Sequence, residues 1–76
     1  MPRFYFDVRR AGVTDKDEEG VLLPSKIIAR AEATRTAVDM VRDAVPQDAP
    51  DLAIAVRDEH GQPLFEVQAL VQVREY

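Results

Sequence analysis

The chain has no cysteine and a single histidine among its 76 residues. A disulfide is therefore excluded, and a zinc site is not expected, because proteins hold zinc with several cysteine or histidine side chains. The sequence also lacks the apolar segment of a secretory signal and any apolar run of roughly 18 residues, the length that crosses a membrane. We therefore expect no cofactor, no bound metal, no membrane contact and a cytoplasmic location.

The length allows one domain, which we assign to residues 1–76. A domain of this size buries only roughly 60% of the surface that its unfolded chain exposes. Without a disulfide or a metal, the remaining source of added stability is association with a second copy or with another protein.

The formal net charge is −4, and no segment of the chain carries a basic excess. Binding to a phosphate backbone depends on Lys and Arg side chains that release counterions. We therefore expect no nucleic-acid partner. An acidic chain is better suited to a basic protein.

Alternating apolar and polar residues predict strands over residues 3–9 and 52–57. A turn at residues 10–12 leads to a second arm that is short or broken, with candidate pieces at residues 13–14 and 21–23. A second hairpin turns at Gly61, for which we expect a left-handed conformation. The last strand begins at residue 64, and its length predicts a bulge or a break near Ala69.

A long helix is predicted between these strand pairs, from its cap at Ser25 to about Ala44, before Pro46. Its apolar residues recur every three or four positions, which predicts a face that packs on the sheet. This face consists of Ile27, Ala31, Thr34, Val38, Val41 and Val45, widened by Ile28 and Ala37. Its expected partners are Phe4, Phe6, Ile54 and Val56. The predicted fold class is α+β, a two-layer ββαββ arrangement with one long helix on one face of an antiparallel sheet.

Two motifs have only a partial fit to known chemistry. The acidic run over residues 15–20 resembles the start of a calcium loop, but Lys26 stands where such a loop needs a glutamate, so we interpret the run as a solvated turn. His60 lies beside Glu59 in a predicted turn, and Ser25 is used as a helix cap. With no nucleophile available, we predict that the protein is not an enzyme.

The sheet is more apolar than one helix can cover. The residues expected on its uncovered face are Tyr5, Ala53, Ala55, Leu64 and Leu70. Exposed apolar patches of this kind mark interfaces. These five residues therefore form a candidate interface, either between two copies in a homodimer or with another protein.

Three segments resemble a known family: MPRFYF at residues 1–6, DEEGVLLP at residues 17–24 and ARAEA at residues 29–33. They are similar to a family of short bacterial proteins of unknown function, the DUF6894 type. Its members often begin M-P-R-[YF]-[YF]-F and carry D-x-E-G-x-x-L-P before an Ala- and Glu-rich helix. The resemblance covers most of the chain and implies a fold but no activity. The family often has His at the position of Asp7, so no role is carried over to that residue.

A weaker resemblance connects the chain to HicB-type antitoxins, in which strands and an acidic glycine-containing turn lead through a proline into an Ala-rich helix. It implies an inhibitor that neutralises a basic toxin. From the sequence we expect a small acidic protein-interaction or regulatory domain. An antitoxin-like inhibitor is the first alternative, and a small ligand-binding or enzymatic domain is the second.

Overall fold

The computed structural model describes residues 1–44 and 51–76, which form an open antiparallel sheet with one helix on one face. The elements are β1 (Arg3–Arg10), β2 (Val13–Asp15), β3 (Val21–Leu22), α1 (Lys26–Ala44), β4 (Asp51–Asp58) and β5 (Pro63–Leu70). The predicted α+β class and two-layer ββαββ arrangement are confirmed. The second arm of the first hairpin is broken into β2 and β3, also as predicted.

The strands lie in the order β2-β1-β4-β5, and β3 pairs with the same edge of β1 as β2. The β1–β4 ladder places Phe6 opposite Val56 and Val8 opposite Ile54. In the β4–β5 ladder, Val67 is opposite Ile54. Because directly opposed residues point to the same side, apolar side chains of three strands share the face that α1 covers.

The core combines large side chains from the sheet with small ones from the helix. Leu52, Ile54 and Val56 of β4 are at most 2% exposed. The helix contributes Ala29, Ala33 and Ala37, spaced four residues apart and equally buried. Since alanine carries no side chain beyond Cβ, the helix backbone can lie close to the sheet while the strands supply the bulk.

The predicted packing face of the helix is therefore wrong. Its exposed members are Ile27, Ile28, Ala31, Thr34 and Val38. Ile27 is 80% exposed and Val38 is 50% exposed, whereas Val41 and Ala37 do pack against the core. Both stripes repeat with the helical period, so the period alone could not choose between them. The large residues of the sheet fill the interface and leave room only for the alanine stripe.

The helix begins as predicted, because Ser25 Oγ accepts a hydrogen bond from the backbone N–H of Ile28 at 3.3 Å. The last described residue of the helix is Ala44. The predicted stripe residue Val45, the predicted stop at Pro46 and the loop predicted before β4 lie outside the described residues, except for Asp51. Over the described ranges, no helix is both long and apolar enough to cross a membrane.

Both predicted hairpin turns are present. Between β1 and β2, Ala11 and Gly12 have φ values of 50° and 78°, as a two-residue turn with two left-handed positions requires. Between β4 and β5, Gly61 has a φ of 80° and donates its N–H to the carbonyl of Asp58 at 3.0 Å. The predicted left-handed conformation of Gly61 is confirmed.

The last strand is shorter than its alternating pattern. Its register shifts between Val56 and Arg57 of β4, which leaves Leu64 as an extra residue at the start of β5. The strand ends at Leu70, opposite the first residue of β4. The break predicted near Ala69 is therefore the end of the strand, and the bulge lies at the opposite end.

Changing the size of one side chain on each of the two helix stripes tests the packing directly. We expect Ala33→Leu to lower the free energy of unfolding by about 1–3 kcal/mol, because the added carbons have no space against the sheet. Ile27→Ala, on the exposed stripe, should change it by no more than about 0.5 kcal/mol. Urea denaturation followed by circular dichroism measures both. The opposite order of effects would restore the stripe predicted from the sequence.

Candidate functional site

A polar cluster lies on the sheet face that α1 leaves open, and Arg57 of β4 is at its centre. Its Nε donates to Asp7 Oδ2 of β1 at 2.9 Å, and its Nη2 donates to the backbone carbonyl of Asp17 at 2.7 Å. Its guanidinium carbon lies 4.5 Å from the centroid of the Tyr5 ring, within the range of a cation–π contact. The Arg57 and Asp7 side chains are only 20% and 15% exposed. Arg57 thus joins β1, β4 and the loop after β2.

The carboxylate of Asp17 closes the outer edge of β1 between β2 and β3. Its Oδ2 accepts a hydrogen bond from the backbone N–H of Phe6 at 3.1 Å. Its Oδ1 accepts from the N–H groups of Glu19 and Gly20, each at 3.0 Å. The Asp17 N–H in turn donates to Asp7 Oδ1 at 2.9 Å. The side chain therefore replaces the backbone partner that the broken strand does not supply.

Glycine is required at position 20 for two reasons. Gly20 has a φ of 69°, and a Cβ placed there would lie 2.9 Å from both Arg3 Cγ and the carbonyl oxygen of Phe4. The loop can therefore approach β1 this closely only with glycine. Arg3 holds the same loop through a 2.9 Å hydrogen bond from its Nη1 to the carbonyl of Glu19.

The acidic run is thus a structural loop, and its interpretation as a fully solvated turn is wrong at Asp17. Glu18 and Glu19 are exposed, whereas Asp17 is partly buried and accepts three N–H groups. In the portion of the chain covered by the structure, no three His, Cys, Asp or Glu side chains gather as metal ligands would. What the run supplies is a cap for the sheet edge.

The surroundings of Asp17 and Arg57 favour the charged form of each side chain. Burial alone would raise the pKa of the Asp17 carboxyl, but three backbone N–H donors and the charge of Arg57 hold it below its usual value. The hydrogen bond with Asp7 raises the pKa of Arg57 above its usual value, against the effect of burial. Neither group titrates near neutral pH, where a general acid or base would need to.

His60 lies in the β4–β5 turn, away from this cluster. Asp58 Oδ1 accepts hydrogen bonds from the backbone N–H groups of His60 and Gln62 at 2.8 and 2.9 Å. These hydrogen bonds lower the pKa of the Asp58 carboxyl below its usual value, and the bond from Gln62 has the larger effect. The carboxylate next to His60 is therefore engaged with the turn backbone.

The five residues of the candidate interface differ in how much apolar surface they expose. Tyr5, Ala53 and Ala55 share the open face, although Ala53 is only 3% exposed and Tyr5 lies under Arg57. Leu64 sits at the bulge and packs against the core, while Leu70 is 60% exposed at the end of β5. Of these residues, Leu70 offers the most free apolar surface, and it lies at the rim of the sheet.

The sequence analysis missed the Asp7–Arg57 pair and the cap formed by Asp17. Strand alternation does assign Asp7 and Arg57 to the polar sides of β1 and β4. Their contact depends on the register of two strands that are separated by the helix, and no pattern in the sequence sets that register. The D-x-E-G segment marked the loop but not its role.

The outer edge of β5 is the other notable feature, because β5 pairs only with β4 among the described strands. Beside it lies a groove of about 340 Å³, with an apolar part formed by Ile27, Phe65 and Val67. The other residues that line it are Lys26, Arg30 and Glu66. On the open face, Glu66 forms an ion pair with Arg9 Nη1 at 3.2 Å and accepts a hydrogen bond from Gln68 Nε2 at 2.7 Å. A second depression next to it, of about 370 Å³, is lined by residues that include Asp7, Arg57, Leu64 and Glu66.

Removing the negative charge of Asp17 should weaken the fold. We expect Asp17→Asn to lower the free energy of unfolding by about 1–3 kcal/mol, because the new amide cannot serve all three N–H donors. Glu18→Gln, at the exposed neighbouring position, is the matched control and should have little effect. Chemical denaturation at pH 7 measures both variants. Equal stability of Asp17→Asn and the parent chain would contradict the cap.

The same carboxylate should produce a defined pH dependence. Because folding lowers the pKa of Asp17, its contribution is complete above the unfolded-state pKa of about 3.9 and is lost as the pH falls through the lower folded value. The stability difference between the parent chain and Asp17→Asn should therefore be constant from pH 7 to about pH 5 and shrink in stronger acid. Denaturation curves measured across this range test the sign, and a difference that grew in acid would contradict it.

The model of a family described as a domain of unknown function, DUF6894, matches residues 3–70. No curated protein and no solved structure matches the chain. The weaker resemblance to HicB-type antitoxins stays a prediction. The matched range runs from the start of β1 to the end of β5, so the chain belongs to the DUF6894 family.

Proposed function

We propose that this protein is a non-catalytic interaction domain that binds an extended polypeptide segment along the outer edge of β5. One observation carries the proposal: β5 is eight residues long and, within the described chain, has a neighbouring strand on one side only. A strand edge of this kind presents a row of backbone N–H and C=O groups to any chain that can pair with it.

The contrast between β5 and the opposite side of the sheet supports the proposal, because the strands at that side, β2 and β3, are only three and two residues long. The edge of β1 is closed by β2, by β3 and, between them, by the Asp17 carboxylate. On β5, the features that discourage pairing are limited to Pro63 at its first residue and the single charge of Glu66. The rest of the strand carries apolar or amide side chains, which suit a paired strand.

The state of the polar cluster supports a non-catalytic role. Arg57, Asp7 and Asp17 are engaged with one another and with backbone groups, and the side chain of Arg57 is stacked on Tyr5. No buried side-chain nitrogen or oxygen in the described part of the chain lacks a hydrogen-bond partner. The hydrogen bonds of the cluster therefore hold these three side chains against one another and against the backbone.

The net charge of −4 favours a second candidate, an antitoxin-like inhibitor of a basic protein. Such an inhibitor would also use the β5 edge, so the two candidates differ in the identity of the partner and share the binding surface.

A photo-cross-linking residue placed on the edge tests the proposal in the cells that express the protein. Gln68 is exposed on β5, and Arg42, exposed on α1, provides the matched control position. We expect an adduct at position 68, either with a second copy or with another protein, and none at position 42. The absence of an adduct at position 68 above the level at position 42 would refute the proposal.

A further inference from the structure

Residues 71–76 extend beyond the sheet as a tail. β5 ends at Leu70, which lies opposite Asp51 of β4. Within residues 1–44 and 51–76, no strand pairs with the tail, and Val73 is 82% exposed. An exposed valine in a segment with strand-like alternation is typical of a strand that pairs with another chain.

The tail continues the alternation of β5. On the helix side, Val67 and Ala69 are followed by Val71 and Val73 in the pattern. On the open side, the series is Glu66, Gln68, Leu70, Gln72 and Arg74. Read as one strand, residues 64–76 have a centre at Leu70 about which apolar residues match apolar residues, amides match amides and Glu66 matches Arg74. The exception is Phe65, which matches Glu75.

We infer that two copies of this chain associate by antiparallel pairing of residues 64–76 about Leu70, so that each tail lies along the β5 edge of the other copy. The inference deepens the proposed function by naming the polypeptide that occupies this edge. In this register Leu70 faces Leu70 and Gln68 faces Gln72. The sheets of the two copies then join through their β5 strands into one continuous sheet.

Charge selects this register on the open face. Glu66 of each copy lies opposite Arg74 of the other, so the dimer contains two cross-strand ion pairs. The nearest alternative registers that keep each side chain on its own face of the sheet would place Glu66 opposite Gln72 or Tyr76 instead of Arg74. Glu66 already forms an ion pair with Arg9 and accepts a hydrogen bond from Gln68, and a carboxylate has acceptor sites for a further donor.

The helix side is complementary as well. Val73 of the second copy lies opposite Val67, which lines the apolar groove with Phe65 and the 80% exposed Ile27. Glu75 of the second copy lies opposite Phe65, near the rim of the groove. The charged residues that line this groove are Lys26, Arg30 and Glu66. The contacts expected on the helix side are therefore consistent with the register that the Glu66–Arg74 pairs favour on the open face.

The absence of native cysteine allows a direct test of the register. Opposed residues in an antiparallel pair have Cα atoms about 4.5–5.5 Å apart, within the range of a disulfide. We expect purified Leu70→Cys to form a covalent dimer on mild oxidation. Gln68→Cys, on the same strand and face, should not, because the two substituted residues would be about 13 Å apart.

Charge reversal in the full chain provides a second test. We expect Arg74→Glu and Glu66→Arg each to raise the dissociation constant of the dimer by about tenfold or more, through like charges facing each other. The double variant carries both reversed charges in facing positions and should recover most of the lost affinity. Analytical ultracentrifugation over a concentration series measures all four proteins, and circular dichroism establishes that each is folded.

The possible outcomes separate this inference from the proposed function. Disulfide formation by Leu70→Cys but not by Gln68→Cys, together with rescue in the double charge variant, supports the dimer. Disulfide formation by Gln68→Cys in preference to Leu70→Cys would overturn the register. A parent chain that remains monomeric at high micromolar concentration would overturn the dimer, while an adduct with a different protein at position 68 in cells would still support the interaction domain.

Discussion

The fold depends on how the outer edge of β1 is closed. β2 and β3 are too short to pair along the whole of β1, and the backbone of Phe6 lies in the gap between them. Asp17 fills this gap with a carboxylate oxygen, while its other oxygen shapes the loop that leads to Gly20. Arg57 then fixes the loop to the centre of the sheet through the carbonyl of Asp17. One acidic side chain therefore links the broken strand, the loop and the open face.

The opposite face shows how a small sheet can bury its core under one helix. Three alanines at a spacing of four allow close approach, and the strands supply the large side chains. The cost of this arrangement is that larger apolar residues of the helix, Ile27 and Val38, remain exposed. Ile27 stands beside the groove next to β5, so the apolar surface that the core does not use lies along the free edge.

Much of the fold was predictable from the sequence because the relevant signals are local. Alternation located the strands, Ser25 marked the start of the helix, and Gly61 marked the second turn. The orientation of the helix was not predictable, since Ile27 and Ala29 lie on two stripes with the same period. The polar cluster was not predictable either, because the contact between Asp7 and Arg57 spans 50 positions and depends on strand register. Local sequence patterns specify the individual strands and the helix. The polar cluster, in contrast, depends on how the strands pair with one another.

The two sheet edges lead to opposite expectations in solution. The outer backbone groups of β1 are paired within one chain by β2, β3 and Asp17. In our proposal, those of β5 pair with a second chain. Residue-resolved amide hydrogen exchange at low and high protein concentration tests this claim most directly. We predict that the Phe6 amide is protected at both concentrations, while alternate amides of β5 and the amides of the tail gain protection as concentration rises. Protection of β5 and the tail that is independent of concentration, or rapid exchange at Phe6, would contradict the account.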